Sequence, residues 1–205
     1  MNNQRNLRIY RLWAPLYDAA IGRVFDRPRR RAIDLLQLQP GEHLLLSGAG
    51  TGLDLPLISP EIRVMAVDLS PAMLQKAWQK GHGRATFALM DAQALALPDH
   101  IFDAAALNLI LSVVPDGQAA FREAWRTLRP GGRLVIFDKF LPEDGRLSPL
   151  RGAVGKIIAA LGTDPNRRLS DVIPQERVAA VSRNDPAIFR GQYRLVLLRK
   201  PQVNG

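Results

Sequence analysis

The chain has 205 residues, of which 47% are hydrophobic and 23% charged, a composition that fits one globular domain with a sizeable core. It contains no cysteine, which excludes disulfides, thiolate metal sites and cysteine nucleophiles. No signal-peptide pattern opens the sequence, and no uncharged apolar run approaches the roughly 20 residues that cross a bilayer. We therefore expect a cytoplasmic domain.

The net charge of +9 is concentrated at the two ends of the chain. Residues 1–31 contain 8 arginines and 2 acids, and residues 146–205 contain 11 basic and 4 acidic residues, whereas the middle is net acidic. Such runs often form only a solvated face. Two basic flanks around an acidic centre favour an anionic partner surface.

Apolar segments alternate with helical ones along the chain. The lead-in over residues 4–37 is predicted to be helical, with its last helix opening at Pro28 after Asp26 or Arg27. Five strands follow, at His43–Ser47, Arg63–Asp68, Phe87–Met90, Phe102–Leu109 and, after a turn at 129–132, Arg133–Phe137. Between them, helices are predicted from Pro71 to about Lys80, capped by Ser70, and from Asp116 to about Leu128. A closing antiparallel pair is predicted at Arg177–Val181 and Tyr193–Leu198.

This alternation predicts an α/β fold with a doubly wound, mostly parallel, seven-stranded sheet in a single domain. We expect a helical lid (1–37), a ligand-binding core (38–140), a lid insertion after strand five (141–176) and the closing strands (177–205). In such sheets ligands bind beyond the carboxyl ends of the strands, where the glycine loop after strand one, Asp68, Asp91 and Asn108 all fall.

The glycine loop Gly48–Gly52 has the spacing Gly-x-Gly-x-Gly. Glycines there allow positive φ and a close approach of backbone to ligand, although a tight turn alone would also use them. A dinucleotide fingerprint needs glycine or alanine where Leu53 stands, and the lysine of a phosphate-binding loop is absent. No lysine or arginine lies near the loop in the sequence, which suits a ligand without phosphates. Asp68 can accept both hydroxyls of a ribose, or can cap the following helix.

These residues resemble the class I S-adenosylmethionine-dependent methyltransferases, with matching segments at 45–52, 67–74, 90–98, 102–103 and 128–135. The resemblance implies S-adenosyl-L-methionine as the cofactor and a Rossmann-like methyltransferase fold. It places the glycine loop around the methionine moiety, Asp68 on the ribose, and the remaining groups at or near the adenine. The implied cofactor-binding residues are Gly48, Ala49, Gly50, Gly52, Asp68, Leu69, Asp91, Ala92 and Asn108.

Within this superfamily the chain is most similar to bacterial phosphatidylethanolamine N-methyltransferases and next to quinone C-methyltransferases. The opening segment 10–18 resembles both groups, whereas segments 23–25, 29–31, 113–116 and 163–169 resemble the lipid enzymes more. The resemblance implies N-methylation of a phospholipid amine on the inner face of the cell membrane, with the basic flanks against anionic lipids. The predicted insertion helix, between Ser148 and Gly162, is either a packed lid or an interfacial helix.

Three alternatives remain open. The acceptor can be a quinone-like or soluble small molecule. The chain can be a cofactor-poor binding protein of the same fold. A pI near 10.7 suits an RNA methyltransferase, but Asn108-Leu109-Ile110-Leu111 does not resemble the Asn-Pro-Pro-Tyr stretch of adenine N6 enzymes, so nucleic acid is not the expected partner.

Methyl transfer from a sulfonium depends mainly on holding the nucleophile in line, so a dedicated base is not guaranteed. The candidate catalytic residues are Tyr17, as a lid residue that positions donor and nucleophile, and Asp138, at the end of strand five; Tyr10 and Asp18 are further candidates. The three histidines have no metal-ligand spacing, and we expect no metal.

Leu46 is the departure from the family pattern, because the related enzymes usually carry an acid there that helps to hold the donor's amino group. Leucine predicts a weaker or differently anchored cofactor, with Asp54, Ser47 or loop carbonyls as replacements. On this view, Leu46→Asp should tighten binding.

Overall fold

The computed structural model describes residues 22, 24–81, 83–141, 143 and 166–202. Within these ranges the chain forms one seven-stranded sheet with the strand order β3-β2-β1-β4-β5-β7-β6. The strands are β1 (His43–Ser47), β2 (Arg63–Asp68), β3 (Ala85–Leu89), β4 (Phe102–Asn108), β5 (Leu128–Lys139), β6 (Val181–Ile188) and β7 (Tyr193–Arg199). β1 to β5 pair in parallel, and β7 pairs antiparallel with both β5 and β6.

In the described part of the chain, three α-helices cover the two faces of this sheet: α1 (24–35), α2 (Pro71–Gly81) and α3 (Gly117–Thr127). Successive residues of a strand point to opposite faces of the sheet, so the apolar residues of β1 pack into the buried clusters on both faces. Leu44 and Leu46 belong to the buried cluster that includes residues of α1 and α2, whereas Leu45 belongs to the cluster that includes α3. The predicted doubly wound, mostly parallel sheet is confirmed.

Two of the predicted helix starts are confirmed by their caps. The Ser70 hydroxyl accepts a hydrogen bond from the Met73 N–H at 3.4 Å, ahead of α2. The Asp116 carboxylate accepts one from the Ala119 N–H at 2.9 Å, ahead of α3. Each side chain satisfies a backbone donor that the first turn of a helix leaves without a partner.

Other predicted boundaries are wrong. Residues 24–27 are already helical, so Pro28 does not open α1. The predicted turn at 129–132 lies inside β5, as a bulge that moves the register from Phe102↔Leu128 to Ala104↔Arg133.

The first closing strand was also placed wrongly, because Gln175–Ala180 form a 3-10 helix and β6 begins at Val181. β6 is one of the two edge strands of the sheet, and its polar sequence with Pro186 lacks the apolar pattern by which an inner strand is predicted.

The predicted lids lie mostly outside the described residues. Of the lead-in, the structure describes residues 22 and 24–37, and of the insertion it describes 141, 143 and the segment from 166. The proposed division of the domain therefore stays a prediction. No helix in the described ranges is long and apolar enough to cross a membrane.

Candidate active site

A cavity opens at the carboxyl edge of the sheet, where β1, β2 and β4 end and the chain leaves β3. Eight of the nine predicted cofactor residues line it: Gly48, Ala49, Gly50, Asp68, Leu69, Asp91, Ala92 and Asn108. Parallel strands bring their carboxyl ends to one edge, which is why residues 60 positions apart in sequence meet here. Their contacts with a ligand stay a prediction.

Gly52 is the exception, since it does not line the cavity. A Cβ at Gly52 would lie 2.8 Å from the Ala77 Cα and 2.9 Å from Leu55 Cδ1. Glycine is therefore needed for α2 to pack against the loop, and Gly52 acts on the site through that packing.

The rest of the loop brings its backbone close to the cavity. The N–H groups of Gly48 and Ala49 both donate to the Val67 carbonyl at 2.9 Å, which fixes the loop to the end of β2. Gly48 has φ +75°, and a Cβ there would lie 2.6 Å from the Ile110 side chain. Both the conformation and the space at this position therefore require glycine.

Asp68 links the loop to the start of α2. One carboxylate oxygen accepts a hydrogen bond from the Gly50 N–H and the other accepts one from the Ser70 N–H, each at 2.8 Å. Burial raises the pKa of Asp68 above its usual 3.8, and hydrogen bonds from Ser70, Gly50 and Leu69 act in the opposite direction. Each oxygen has a second lone pair, so the carboxylate can still receive the hydroxyls of a ribose.

Asp91 is held by a residue that sequence reasoning missed. Gln93 donates to the Asp91 carboxylate from its backbone N–H and its side-chain amide, each at 2.9 Å. The Gln93 Oε1 in turn accepts from the Asp116 N–H at 2.8 Å. Asp91 is thereby tied to the cap of α3, and only the spacing Asp-x-Gln could have indicated this.

Asn108 ends β4 and is only 6% exposed. Neither end of its side-chain amide has a hydrogen-bond partner among the described residues. A buried amide without partners costs about 1–3 kcal/mol, and a polar group of a bound ligand would offset that cost. This supports the prediction that Asn108 is a ligand residue.

Arg29 is the second residue that sequence reasoning missed. It lies on α1, lines the cavity, and donates from Nη1 to both carboxylate oxygens of Asp54 at 2.9 and 3.0 Å. No basic residue lies near the glycine loop in the sequence, but the fold brings Arg29 to the cavity that the loop lines. The signal was present, because Phe25, Arg29 and Ile33 follow the four-residue spacing of one buried helix face.

Of the two predicted catalytic residues, the structure describes only Asp138. Tyr17, like Tyr10 and Asp18, lies outside the described residues. Asp138 is fully buried and does not line the cavity. Its carboxylate accepts hydrogen bonds from the backbone N–H groups of Ser112, at 3.0 Å, and Lys139, at 2.7 Å. Asp138 therefore holds the loop between β4 and α3 from outside the cavity, and a direct catalytic role for it stays a prediction.

Comparison with known proteins decides the family. A family model described as a methyltransferase domain matches residues 45–136. A phosphatidylethanolamine N-methyltransferase from Cereibacter sphaeroides is 32% identical over 179 residues, which cover 85% of this chain and 87% of that protein. The chain belongs to the S-adenosylmethionine-dependent methyltransferases.

A demethylmenaquinone methyltransferase from Thermus thermophilus is 35% identical to this methyltransferase over 156 residues, covering 70% of the chain and 67% of the relative. Among solved structures, a geranyl diphosphate C-methyltransferase from Streptomyces coelicolor A3(2) superposes with a TM-score of 0.71. It is 16% identical and covers 90% of this chain and 82% of its own, so the likeness shows the fold.

The methyltransferase uses S-adenosyl-L-methionine as its methyl donor. The described residues contain no group of three or more His, Asp or Glu side chains that could hold a metal ion. Leu46 is 2% exposed, packs in the core and does not line the cavity. Position 46, where the family pattern has an acid, therefore holds a buried apolar residue, and the ion pair of Arg29 and Asp54 lies close to the glycine loop.

Proposed function

We propose that the methyltransferase N-methylates the amino headgroup of a phospholipid, phosphatidylethanolamine, at a membrane surface. The observation that carries this proposal is the extent of the match to the lipid enzyme, which spans 85% of this chain and 87% of the relative. The quinone relative is slightly more identical but matches a smaller part of both chains.

The chemistry is a displacement at the methyl carbon. The nitrogen lone pair forms the N–C bond, the electron pair of the S–C bond stays on sulfur, and the product ammonium loses one proton to water. A primary amine with a pKa near 10.4 is neutral in roughly one molecule in a thousand at pH 7, and only the neutral form has the lone pair. The protein must therefore favour the neutral amine.

The wall of the cavity between β4 and α3 supports such a role. Leu109, Ile110, Val113 and Val114 line it, so this side offers an apolar surface. An apolar wall disfavours the ammonium form through desolvation and lowers the pKa of an amine. The same wall would also suit a flat apolar quinone ring, which is why the quinone reaction remains the second candidate.

Charge supports the membrane location. Arg27, Arg30 and Arg31 are exposed on α1. The same helix contributes Arg29 to the cavity. Basic residues near an anionic bilayer contribute about 1 kcal/mol each. A surface of this kind would bring the enzyme to anionic lipids without a membrane span.

The test is to incubate the purified enzyme with methyl-labelled donor and a total lipid extract, and to separate the products by chromatography. Label in monomethylated phosphatidylethanolamine supports the proposal, whereas label in a quinone or a water-soluble product contradicts it. Flotation with anionic and zwitterionic vesicles tests the surface separately. Failure to float with either would contradict membrane docking but not the methyl transfer.

A further inference from the structure

The ion pair of Arg29 and Asp54 brings one charged side chain, that of Arg29, into the wall of the cavity, whereas Asp54 is not a lining residue. Their side chains are 8% and 5% exposed, and Arg29 lines the cavity beside Thr51 and Leu53. Burying two charges is costly even when they are paired, and replacing a buried pair by apolar residues is often neutral or stabilising. Stability alone therefore does not account for this pair.

Topology places Arg29 at the end of the cavity away from the predicted adenine site. α1 packs over the far half of the sheet, because Phe25 contacts the rings of Phe137 on β5 and Tyr193 on β7, with centroid distances of 5.7 and 5.0 Å. Asp91 follows β3, on the opposite side of β1. Asp68 ends β2 and lies between the two.

A donor whose nucleoside lies at Asp68 and Asp91 therefore extends its amino-acid end across the glycine loop towards Arg29. We propose that Arg29 binds the α-carboxylate of S-adenosylmethionine, and that Asp54 is a positioning residue that holds the guanidinium in the cavity wall. This rests on the cavity being the methyl-donor site. A guanidinium has five N–H donors in a planar array and can engage two carboxylates along different edges.

The apolar residue at position 46 is consistent with this assignment. In the enzymes that this chain resembles, an acid at that position helps to hold the amino group of the donor. Here the position is buried and apolar. Binding through the carboxylate of the donor, by a cation at position 29, replaces binding through its amino group.

The experiment compares two probes by calorimetric titration without any acceptor lipid. S-adenosylhomocysteine carries the amino-acid end, and 5′-methylthioadenosine has the same nucleoside and a thioether but lacks that end. The variants are Arg29→Met and the double variant Arg29→Met/Asp54→Asn, which leaves no buried carboxylate without its partner at position 54. Arg30→Met is the matched control, because Arg30 is exposed on the same helix. Thermal unfolding checks that each variant is folded.

We expect the double variant to bind S-adenosylhomocysteine at least about tenfold more weakly, the loss of one charge-assisted contact. Its affinity for 5′-methylthioadenosine should change by less than about twofold, since that probe cannot reach Arg29. Arg29→Lys should recover part of the lost affinity, and Arg30→Met should bind both probes as the wild type does.

Three results would overturn the inference. Equal weakening of both probes would show that Arg29 only supports the fold of the site. Unchanged binding of S-adenosylhomocysteine, with a raised KM for the lipid, would assign Arg29 to a phosphate of the acceptor. Failure of the wild-type protein to bind either probe would refute the donor site itself, and with it this assignment.

Discussion

Asp138 accepts a hydrogen bond from the backbone N–H of Ser112 at 3.0 Å, and this contact joins the end of β5 to the loop that walls the cavity. Burial raises the pKa of Asp138 above its usual 3.8, while its hydrogen bonds to Ser112 and Lys139 act to lower it. A raised pKa means that the folded protein binds more protons than the unfolded chain in the window just above pH 3.8. Stability contributed by the protonated carboxyl is complete below pH 3.8 and is lost as the pH rises through the folded pKa.

Asp138→Asn removes this titration. We expect the unfolding free energy of the wild type, measured relative to that of the variant, to fall as the pH rises from about 4 and then to level off. Urea unfolding at several pH values measures it. A difference that stays constant over this range would contradict the raised pKa. The variant should also lower kcat more than it raises the KM for the donor, since Asp138 does not touch the cavity.

Arg167 also holds this loop. Its guanidinium donates to the carbonyls of Leu111, of Val114 at 3.2 Å and of Pro115 at 3.1 Å. Arg167 is 9% exposed, and its own carbonyl accepts from the Leu141 N–H at 3.0 Å. The last part of the predicted insertion (141–176) is thus connected to the cavity wall.

Arg167→Met should destabilise the protein by about 2–3 kcal/mol, because it leaves buried carbonyls without donors. Arg168→Met, at the neighbouring and more exposed position, is the control and should change the stability much less. Arg167→Lys should restore only part of the loss, since an ammonium cannot span carbonyls that a planar guanidinium reaches together. Chemical unfolding measures all three variants, and equal losses for Arg167→Met and Arg168→Met would contradict the role of Arg167.

Much of this architecture follows from local sequence. The apolar runs of β1, β2 and β4 end at or within one residue of their predicted ends, and Ser70 and Asp116 cap the predicted helices. Once these strands are parallel, their ends must share one edge, so most of the site residues could be found without a structure. Arg29 and Arg167 could not be found in this way, because their partners are distant in sequence. Asp54 lies 25 positions from Arg29, and Leu111 lies 56 positions from Arg167. β6 was misplaced because an edge strand need not be apolar.

Two substitutions of Asp68 distinguish a contact with the ribose from a role in folding. Asp68→Asn keeps the size of the side chain and removes the charge, whereas Asp68→Ala also leaves the N–H groups of Gly50 and Ser70 without their acceptor. We expect Asp68→Ala to abolish measurable binding of S-adenosylhomocysteine and Asp68→Asn to weaken it about tenfold or more, the value of one charge-assisted contact. Calorimetry and circular dichroism are the measurements. Unchanged affinity in a folded Asp68→Ala protein would refute the contact with the ribose.

The surroundings of Leu46 predict that Leu46→Asp is harmful, the opposite of the effect expected from the sequence. From the sequence, an acid at this position is expected to tighten donor binding. In the structure Leu46 is 2% exposed, belongs to the apolar cluster with Leu44 and Ala106, and does not line the cavity. An unpaired carboxylate in such surroundings must either pay for its desolvation or become protonated.

We therefore expect Leu46→Asp to destabilise the fold by several kcal/mol near neutral pH and to lose less at low pH, where the carboxyl is neutral. Leu46→Asn is the matched variant, because it is polar but does not titrate, and its loss of stability should not depend on pH in this way. Urea unfolding of both variants near pH 5 and pH 7 gives the comparison. A stable Leu46→Asp protein that binds S-adenosylhomocysteine more tightly than the wild type would show that position 46 reaches the donor after all.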